Sequence, residues 1–209
     1  MPQPQGQRSF SAKSIPQHPH APPRKQKRGP SVREYLRPDE VEAMVKAARK
    51  SGRHPVRNAA IILLMFRHGL RTAELIALRW HHVDLNAGYL DVHRAKRGHH
   101  AKHPLRGPQL RLLRELQRTY PHSPYVFVSE RKAPLSPCSI RTIIAKAGQL
   151  AGLPFVPHPH QLRHACGYYL ASRGHDTRAI QDYLGHQNIQ HTVRYTAMAP
   201  HRFESFWQD

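Results

Sequence analysis

Cysteine is nearly missing from this chain. Cys138 and Cys166 are the only two in 209 residues, and no CxxC spacing occurs. A disulfide framework and a cysteine-built zinc site are therefore excluded. Acidic residues are scarce as well, 13 against 33 Lys and Arg, and none precedes Glu34. The resulting net charge of +20 opposes compaction through self-repulsion and implies a polyanionic partner, nucleic acid or an anionic membrane. Long apolar runs are lacking too. The longest, Ala59 to Phe66, is far short of the roughly 20 residues that a membrane span needs, and no signal-peptide pattern opens the sequence. Membrane insertion and secretion are not expected.

What is plentiful is histidine, at 18 residues. Such a content suits either metal binding or a positive charge that grows as pH falls below about 6.5. Proline is concentrated in the first 34 residues, at Pro2, Pro4, Pro16, Pro19, Pro22, Pro23 and Pro30, beside the basic cluster Arg24-Lys25-Gln26-Lys27-Arg28. Residues 1–34 are expected to be a disordered basic tail that buries too little apolar surface to order itself. The globular pattern is expected over residues 35–209.

Within it, Pro38-Asp39-Glu40 opens a helix whose apolar positions Val41, Met44, Val45 and Ala48 share one face. A second helix is predicted from Pro55 to His68, stopped by Gly69, and a short one through Arg79 with Thr72 as its N-cap. Tyr89 to His93 and Lys102 to Leu105 read as strands joined by a turn at Lys96-Arg97-Gly98, with a further strand at Tyr125 to Ser129. Helical signals follow at Pro108–Thr119, Ser136–Ala151, His160–Arg173, Thr177–Leu184 and Ile189–Thr196. The fold class is mainly α with a small antiparallel β-sheet.

Polar residues whose types fit a single task gather in four places: Gly69-Leu70-Arg71-Thr72-Ala73-Glu74-Leu75, Lys96, His160-Gln161-Leu162-Arg163-His164, and Leu184-Gly185-His186 with Tyr195 nine residues later. Two arginines can clamp the nonbridging oxygens of a phosphodiester and stabilise added charge in the transition state. A tyrosine can attack phosphorus and hold the bond energy as a phosphotyrosine. A lysine can protonate the leaving 5′ oxygen, while histidines position the phosphate and manage the nucleophile's proton. The scheme calls for no metal and no nucleotide cofactor.

These residues, in this order, resemble the catalytic domain of the tyrosine recombinase (phage integrase) family from about Tyr35 almost to the end. That family's pattern is an arginine in a GLRxxEL context, a hairpin lysine, HxxR, a histidine in LGH and a tyrosine nine residues on. The resemblance assigns Arg71, Lys96, His160, Arg163, His186 and, as nucleophile, Tyr195. The runs His158 to Tyr168, Asp182 to Ile189 and His191 to Ala197, with Arg67-His68-Gly69 and His103-Pro104-Leu105, are similar to the short recombinases that invert fimbrial promoter switches in enterobacteria. The resemblance implies inversion or excision of a short segment between repeats in double-stranded DNA. It also implies a homotetrameric synapse passing through a Holliday junction, DNA-bending accessory proteins as candidate partners, and a place at the bacterial nucleoid in the cytoplasm. The family's docking of a C-terminal helix on a neighbouring subunit would rest on Phe203, Phe206 and Trp207, within the fourteen residues that follow Tyr195.

Each residue also has a plainer reading when taken singly. Arg71 and Arg163 can be surface ion-pair partners. Tyr195 can be a half-buried packing residue. Lys96 can be a turn lysine with Arg97 and Lys102 as rivals for its role. Glu74 could orient Arg71, but a solvated helix carboxylate is its plainer reading, and His158, His164 and His191 read as structural or phosphate-facing. His160 and His164 stand four apart on a helix, but no Glu lies between them as HExxH zinc chemistry requires. Two other functions compete. A type IB topoisomerase shares the tyrosine chemistry but relaxes single-site plasmids instead of inverting or deleting between two sites. A noncatalytic DNA-binding protein of the same fold would explain the charge equally well, though not the intact six-residue set.

Overall fold

The computed structural model describes residues 33–94 and 100–197, all within one compact unit, Val32–Asp209. Residues 1–32 of the basic tail, the Lys96-Arg97-Gly98 turn and the residues Phe203, Phe206 and Trp207 lie outside the described residues, whereas Arg33 and Glu34 pair with Glu40 and Arg194.

The chain runs α1 (Pro38–Lys50), α2 (Pro55–His68), α3 (Thr72–Ile76), a 3₁₀ turn (Trp80–His82), β1 (Val83–Asp84), β2 (Tyr89–Val92), β3 (Ala101–Pro104), α4 (Gly107–Thr119), α5 (Pro137–Leu150), α6 (Pro159–Ser172), α7 (Thr177–Leu184) and α8 (Gln190–Ala197). Mostly helical with one small antiparallel sheet, it has the architecture expected from the sequence. Proline stands in the first turn of α1, α2, α4, α5 and α6, where its missing N–H costs nothing and its fixed φ suits the helix.

Helix α2 is apolar nearly all round, and such a helix belongs in an interior. It is buried from Ala59 through Ile62 and again from Leu64 through Phe66, and packs against α1, α4 and α6. Helix α1 covers it with Val41, Met44 and Ala48, while Val45 is only half-buried. The sheet order is β1-β2-β3, all antiparallel, with Leu90 opposite His103 and Val92 opposite Ala101. Alternation turns Leu90, Val92 and His103 inward.

Three local expectations are corrected. Tyr125 to Ser129 is not a ladder strand; it makes only isolated bridges, Arg79 with Tyr125 and Val128 with Pro134, because its contacts with Leu78–Trp80 and with Ala133 are each one bridge long. The short helix after Gly69 ends at Ile76, and its N-cap is Arg71, one residue earlier than Thr72. The Glu74 carboxylate reaches back to the Arg71 amide at 2.9 Å, which supplies the cap that a Thr72 hydroxyl would have given. The 3₁₀ turn and the two-residue β1 were absent from the sequence reading, being too short for any periodicity to register.

Candidate active site

The first catalytic candidate sits where α2 stops. Gly69 takes the left-handed conformation at φ 56°, and an added Cβ there would run into the Leu184 side chain. The chain can therefore turn sharply and present Arg71 at the start of α3. The Arg71 guanidinium donates to Glu74 at 2.7 Å and to the Gly185 carbonyl at 3.3 Å, with its side chain about a third exposed.

Helix α6 supplies three candidates on one face, His160, Arg163 and His164, at the i, i+3, i+4 spacing that brings helical side chains together. Its start is set by extended His158, Pro159 and Gln161, whose carboxamide oxygen accepts from the His158 amide at 3.0 Å. Arg163 is buried, donating to the carbonyls of Gly69 and, at 2.6 Å, of Leu184. A guanidinium carries five N–H donors, so three remain for a ligand. Burial, then the charges of Arg71 and Arg94, lower its pKa to about 10, so it stays charged at neutral pH. Arg71, Thr72, His160 and Arg163 line one small cleft.

Glu74 is not the solvated carboxylate that its sequence suggested. Its side chain is 1% exposed and bridges Arg71 to a third guanidinium, Arg94, at 2.9 Å. Burial alone would raise its pKa, but the Arg71 amide and the charges of Arg94 and Arg71 outweigh that and lower it. Two guanidinium groups thus share one carboxylate, and Arg163, whose pKa feels the charges of both, lies close by. The cluster keeps two positive charges in excess among the described residues, and a group buried with unbalanced charge calls for an anion.

The nucleophile candidate lies in α8. Tyr195 is 1% exposed, more enclosed than the half-buried packing role its sequence allowed, and its hydroxyl lies 2.8 Å from His164 Nδ1. Burial, only partly offset by Arg163 and Arg194, raises its pKa to about 12. His164 is pushed down to about 4 by burial and then by the charges of Arg194 and His160, so it is neutral and able to accept a proton at pH 7. His186 follows Gly185, the left-handed stop of α7, and its Nδ1 lies 2.8 Å from the hydroxyl of buried Thr192. Burial and then Arg163 and Arg71 hold it near 3, also neutral. Its ring centroid is 6.2 Å from that of Tyr195.

The structure thus brings Arg71, His160, Arg163, His186 and Tyr195 together from four elements. Lys96 lies outside the described residues, although β2 ends at Val92, four residues before it. Arg94 and Thr192 did not stand out in the sequence, and nothing there linked His164 to Tyr195. For His164 the helical spacing from His160 was the available signal; for Arg94 and Thr192 there was none. Among the described residues, no group of three or more His, Cys, Asp or Glu is placed to hold a metal ion. No helix among them is long and apolar enough to cross a membrane.

An arginine cluster beside a buried, histidine-bonded tyrosine defines a class of site: one with the groups to receive an anion next to a hydroxyl that could act as a nucleophile. Comparison with known proteins supplies the family. The phage integrase family model matches residues 34–202. Type 1 fimbriae regulatory protein FimB of Escherichia coli (strain K12) is 44% identical over 180 residues, covering 84% of this chain and 90% of that protein. Type 1 fimbriae regulatory protein FimE of the same strain is 44% identical over 184 residues, covering 85% and 92%. Among solved structures, the XerA recombinase crystal structure superposes with a TM-score of 0.72 at 26% identity, covering 85% of this chain and 65% of that one. The chain belongs to the phage integrase family, the tyrosine recombinases.

Proposed function

We propose that this protein is a site-specific DNA recombinase that cleaves and rejoins strands through a 3′-phosphotyrosine, inverting or excising a short segment between repeats as in fimbrial phase switching. The observation that carries this reading is the arginine cluster with two charges uncompensated among the described residues, set against a buried tyrosine whose hydroxyl already meets a neutral imidazole.

A backbone phosphodiester would enter the cleft between Arg71 and Arg163, and their free N–H groups would donate to its nonbridging oxygens. The Tyr195 oxygen attacks phosphorus as the bond to the 5′ oxygen breaks. The tyrosine proton passes to His164 Nδ1, and Lys96 protonates the leaving 5′ oxygen. At a pKa near 12 the phenol is not ionised beforehand, so proton loss accompanies attack. The neutral His186 ring, with Nδ1 held by Thr192, turns Nε2 to the phosphate. The phosphotyrosine retains the energy of the broken bond, so a 5′-hydroxyl from a second duplex can reverse the step without a nucleotide.

The partner is double-stranded DNA bearing inverted or direct repeats, bound by a homotetramer with DNA-bending accessory proteins, at the bacterial nucleoid. In this reading residues 35–209 form the catalytic domain, and the basic residues 1–34 add phosphate contacts. FimB and FimE, both named for type 1 fimbriae regulation, support the biological side of the proposal.

The test is covalent trapping with EDTA present, on nicked duplexes tiled from the DNA flanking the protein's own gene. Wild type should give a denaturation-resistant adduct. Tyr195→Phe should bind the same fragments but lose the adduct by about 10⁴-fold or more. An adduct formed equally by Tyr195→Phe would remove Tyr195 as nucleophile. No adduct on any tightly bound fragment would favour a noncatalytic DNA-binding role.

A further inference from the structure

Arg94 follows β2 by two residues and belongs to none of the motifs that mark the site, yet its side chain is 0% exposed and lies at the centre of that site. Its Nη1 donates to Glu74 Oε2 at 2.9 Å and, more weakly, to the Gly69 carbonyl at 3.4 Å. Its Nη2 donates to the His68 carbonyl at 3.1 Å and to the Tyr183 carbonyl. One guanidinium therefore ties together the turn before α3, the carboxylate of α3 and the end of α7. The loop that carries His186 closes directly over its stem. A Cβ on Gly185 would come within 2.6 Å of Arg94 Cγ, so a glycine lets the backbone pass.

The chemistry of the contacts needs arginine. A planar fork with five donors reaches acceptors on three segments at once, whereas a lysine offers a single point charge. Glu74 completes the relay. Its Oε2 takes the Arg94 bond together with the Arg71 amide, and its Oε1 takes the Arg71 guanidinium at 2.7 Å. Without Arg94 the carboxylate would lose one of the two cations that fix its plane, and the orientation of Arg71 would loosen with it.

We propose that Arg94 is a positioning residue for DNA cleavage, acting through Glu74 to hold Arg71 in the geometry that clamps the scissile phosphate. The inference rests on the reading of Arg71 as that clamp. The test uses the full-length protein and the nicked duplex on which the Tyr195 adduct is trapped. The duplex is prepared with either a normal scissile phosphate or a methylphosphonate, in which an uncharged methyl replaces one nonbridging oxygen. Single-turnover cleavage at saturating protein is compared for wild type, Arg71→Ala, Arg94→Lys and Glu74→Gln, with thermal melts and duplex affinity measured alongside.

Arg94→Lys should bind within about threefold of wild type but cleave the charged phosphate about 10²-fold more slowly, the scale of one lost transition-state donor. On the methylphosphonate that deficit should shrink to under about tenfold, in parallel with Arg71→Ala, because a neutral linkage asks less of the clamp. Glu74→Gln should show the same narrowing and carries the test should Arg94→Lys not fold. A deficit that is equal on both linkages for Arg94→Lys and Glu74→Gln, while that of Arg71→Ala narrows, overturns the inference and leaves the clamp standing. An Arg71→Ala deficit that does not narrow removes the clamp reading and the inference with it.

Discussion

Arg163 and Tyr195 are both buried and serve one site, but they are held in different ways. Arg163 sits at the edge of the large core built on α2, and its guanidinium is fastened to main-chain carbonyls of Gly69 and Leu184. Together with Arg71, Glu74 and Arg94 it forms a network in which main-chain carbonyls or the Glu74 carboxylate hold each guanidinium from more than one side. Tyr195 belongs to a second, smaller cluster with Cys166, Ala171, Ile180 and Leu184, and lies on a helix of eight residues. It is secured by ring packing and by the hydroxyl contact to His164. In the proposed reaction the phosphate-binding half is preorganised, and the tyrosine that would attack is kept on a lighter mounting. A donor that stabilises developing charge is useful only when its position is already set. A nucleophile that must first bond to DNA and later release it gains from an element that shifts at small energetic cost.

This contrast can be broken or sharpened in three ways, beginning with the largest expected effect. His164→Ala removes the imidazole that meets the Tyr195 hydroxyl. Single-turnover cleavage should fall by about 10²-fold or more with duplex affinity unchanged. The pH profile should change as well. His164 titrates near 4, so the wild-type rate should stay level from pH 8 to 5 and fall as pH approaches 4 and the imidazole becomes charged. A His164→Ala variant cleaving at the wild-type rate would mean that the contact holds no proton that matters.

The packing half of the mounting is tested at Gly167, where an added Cβ would lie 2.5 to 2.7 Å from Tyr195 ring carbons. Helix propensity alone favours Gly167→Ala by roughly 1 kcal/mol. Overpacking should cost about 1–3 kcal/mol. The net expectation is a slightly lower Tm and adduct formation slowed about tenfold, with phosphate binding by the arginines unaltered. A more stable protein with full activity would show that the ring has no defined seat.

The smallest effect concerns His103, which stacks on Tyr183 of α7 at 3.8 Å and whose ring nitrogens have no hydrogen-bond partner among the described residues. Burial, and then the Arg94 charge, depress its pKa to about 3. Above pH 6.5 it is neutral folded or unfolded. As pH falls from 6.5 toward 3 the unfolded chain takes up a proton that the folded chain refuses, so stability is lost on acidification. At pH 5 this amounts to about 2 kcal/mol. His103→Phe keeps the stack and should lessen the drop in Tm between pH 7 and 5, without altering cleavage at pH 7. An unchanged acid slope would place the loss elsewhere, with His68 as the next group to test.

Helices α1, α2, α4, α5, α6 and α7 were legible because apolar spacing, prolines and stop glycines are local signals, and their bounds fell within a residue or two of those expected. Tyr125 to Ser129 misled because strand-like composition cannot reveal whether a partner strand exists. At the site, Arg71, His160, Arg163, His186 and Tyr195 were found as residue types at ordered spacings. Their environments were not. Glu74 looked solvated because its partner Arg94 lies 20 residues away in the chain, and His164 gave no hint that a tyrosine 31 residues later would bond to it.

The amino-acid order by itself therefore determined the helical framework and the basic character that calls for a polyanion, through local pattern and composition, and marked the candidate reactive groups through the order of its motifs. The tertiary structure alone decided which charges are buried, that two guanidinium groups share one carboxylate, and which imidazole meets Tyr195. Those outcomes depend on contacts between segments far apart in the chain. It is desolvation there, more than residue identity, that sets the charge and reach of each group.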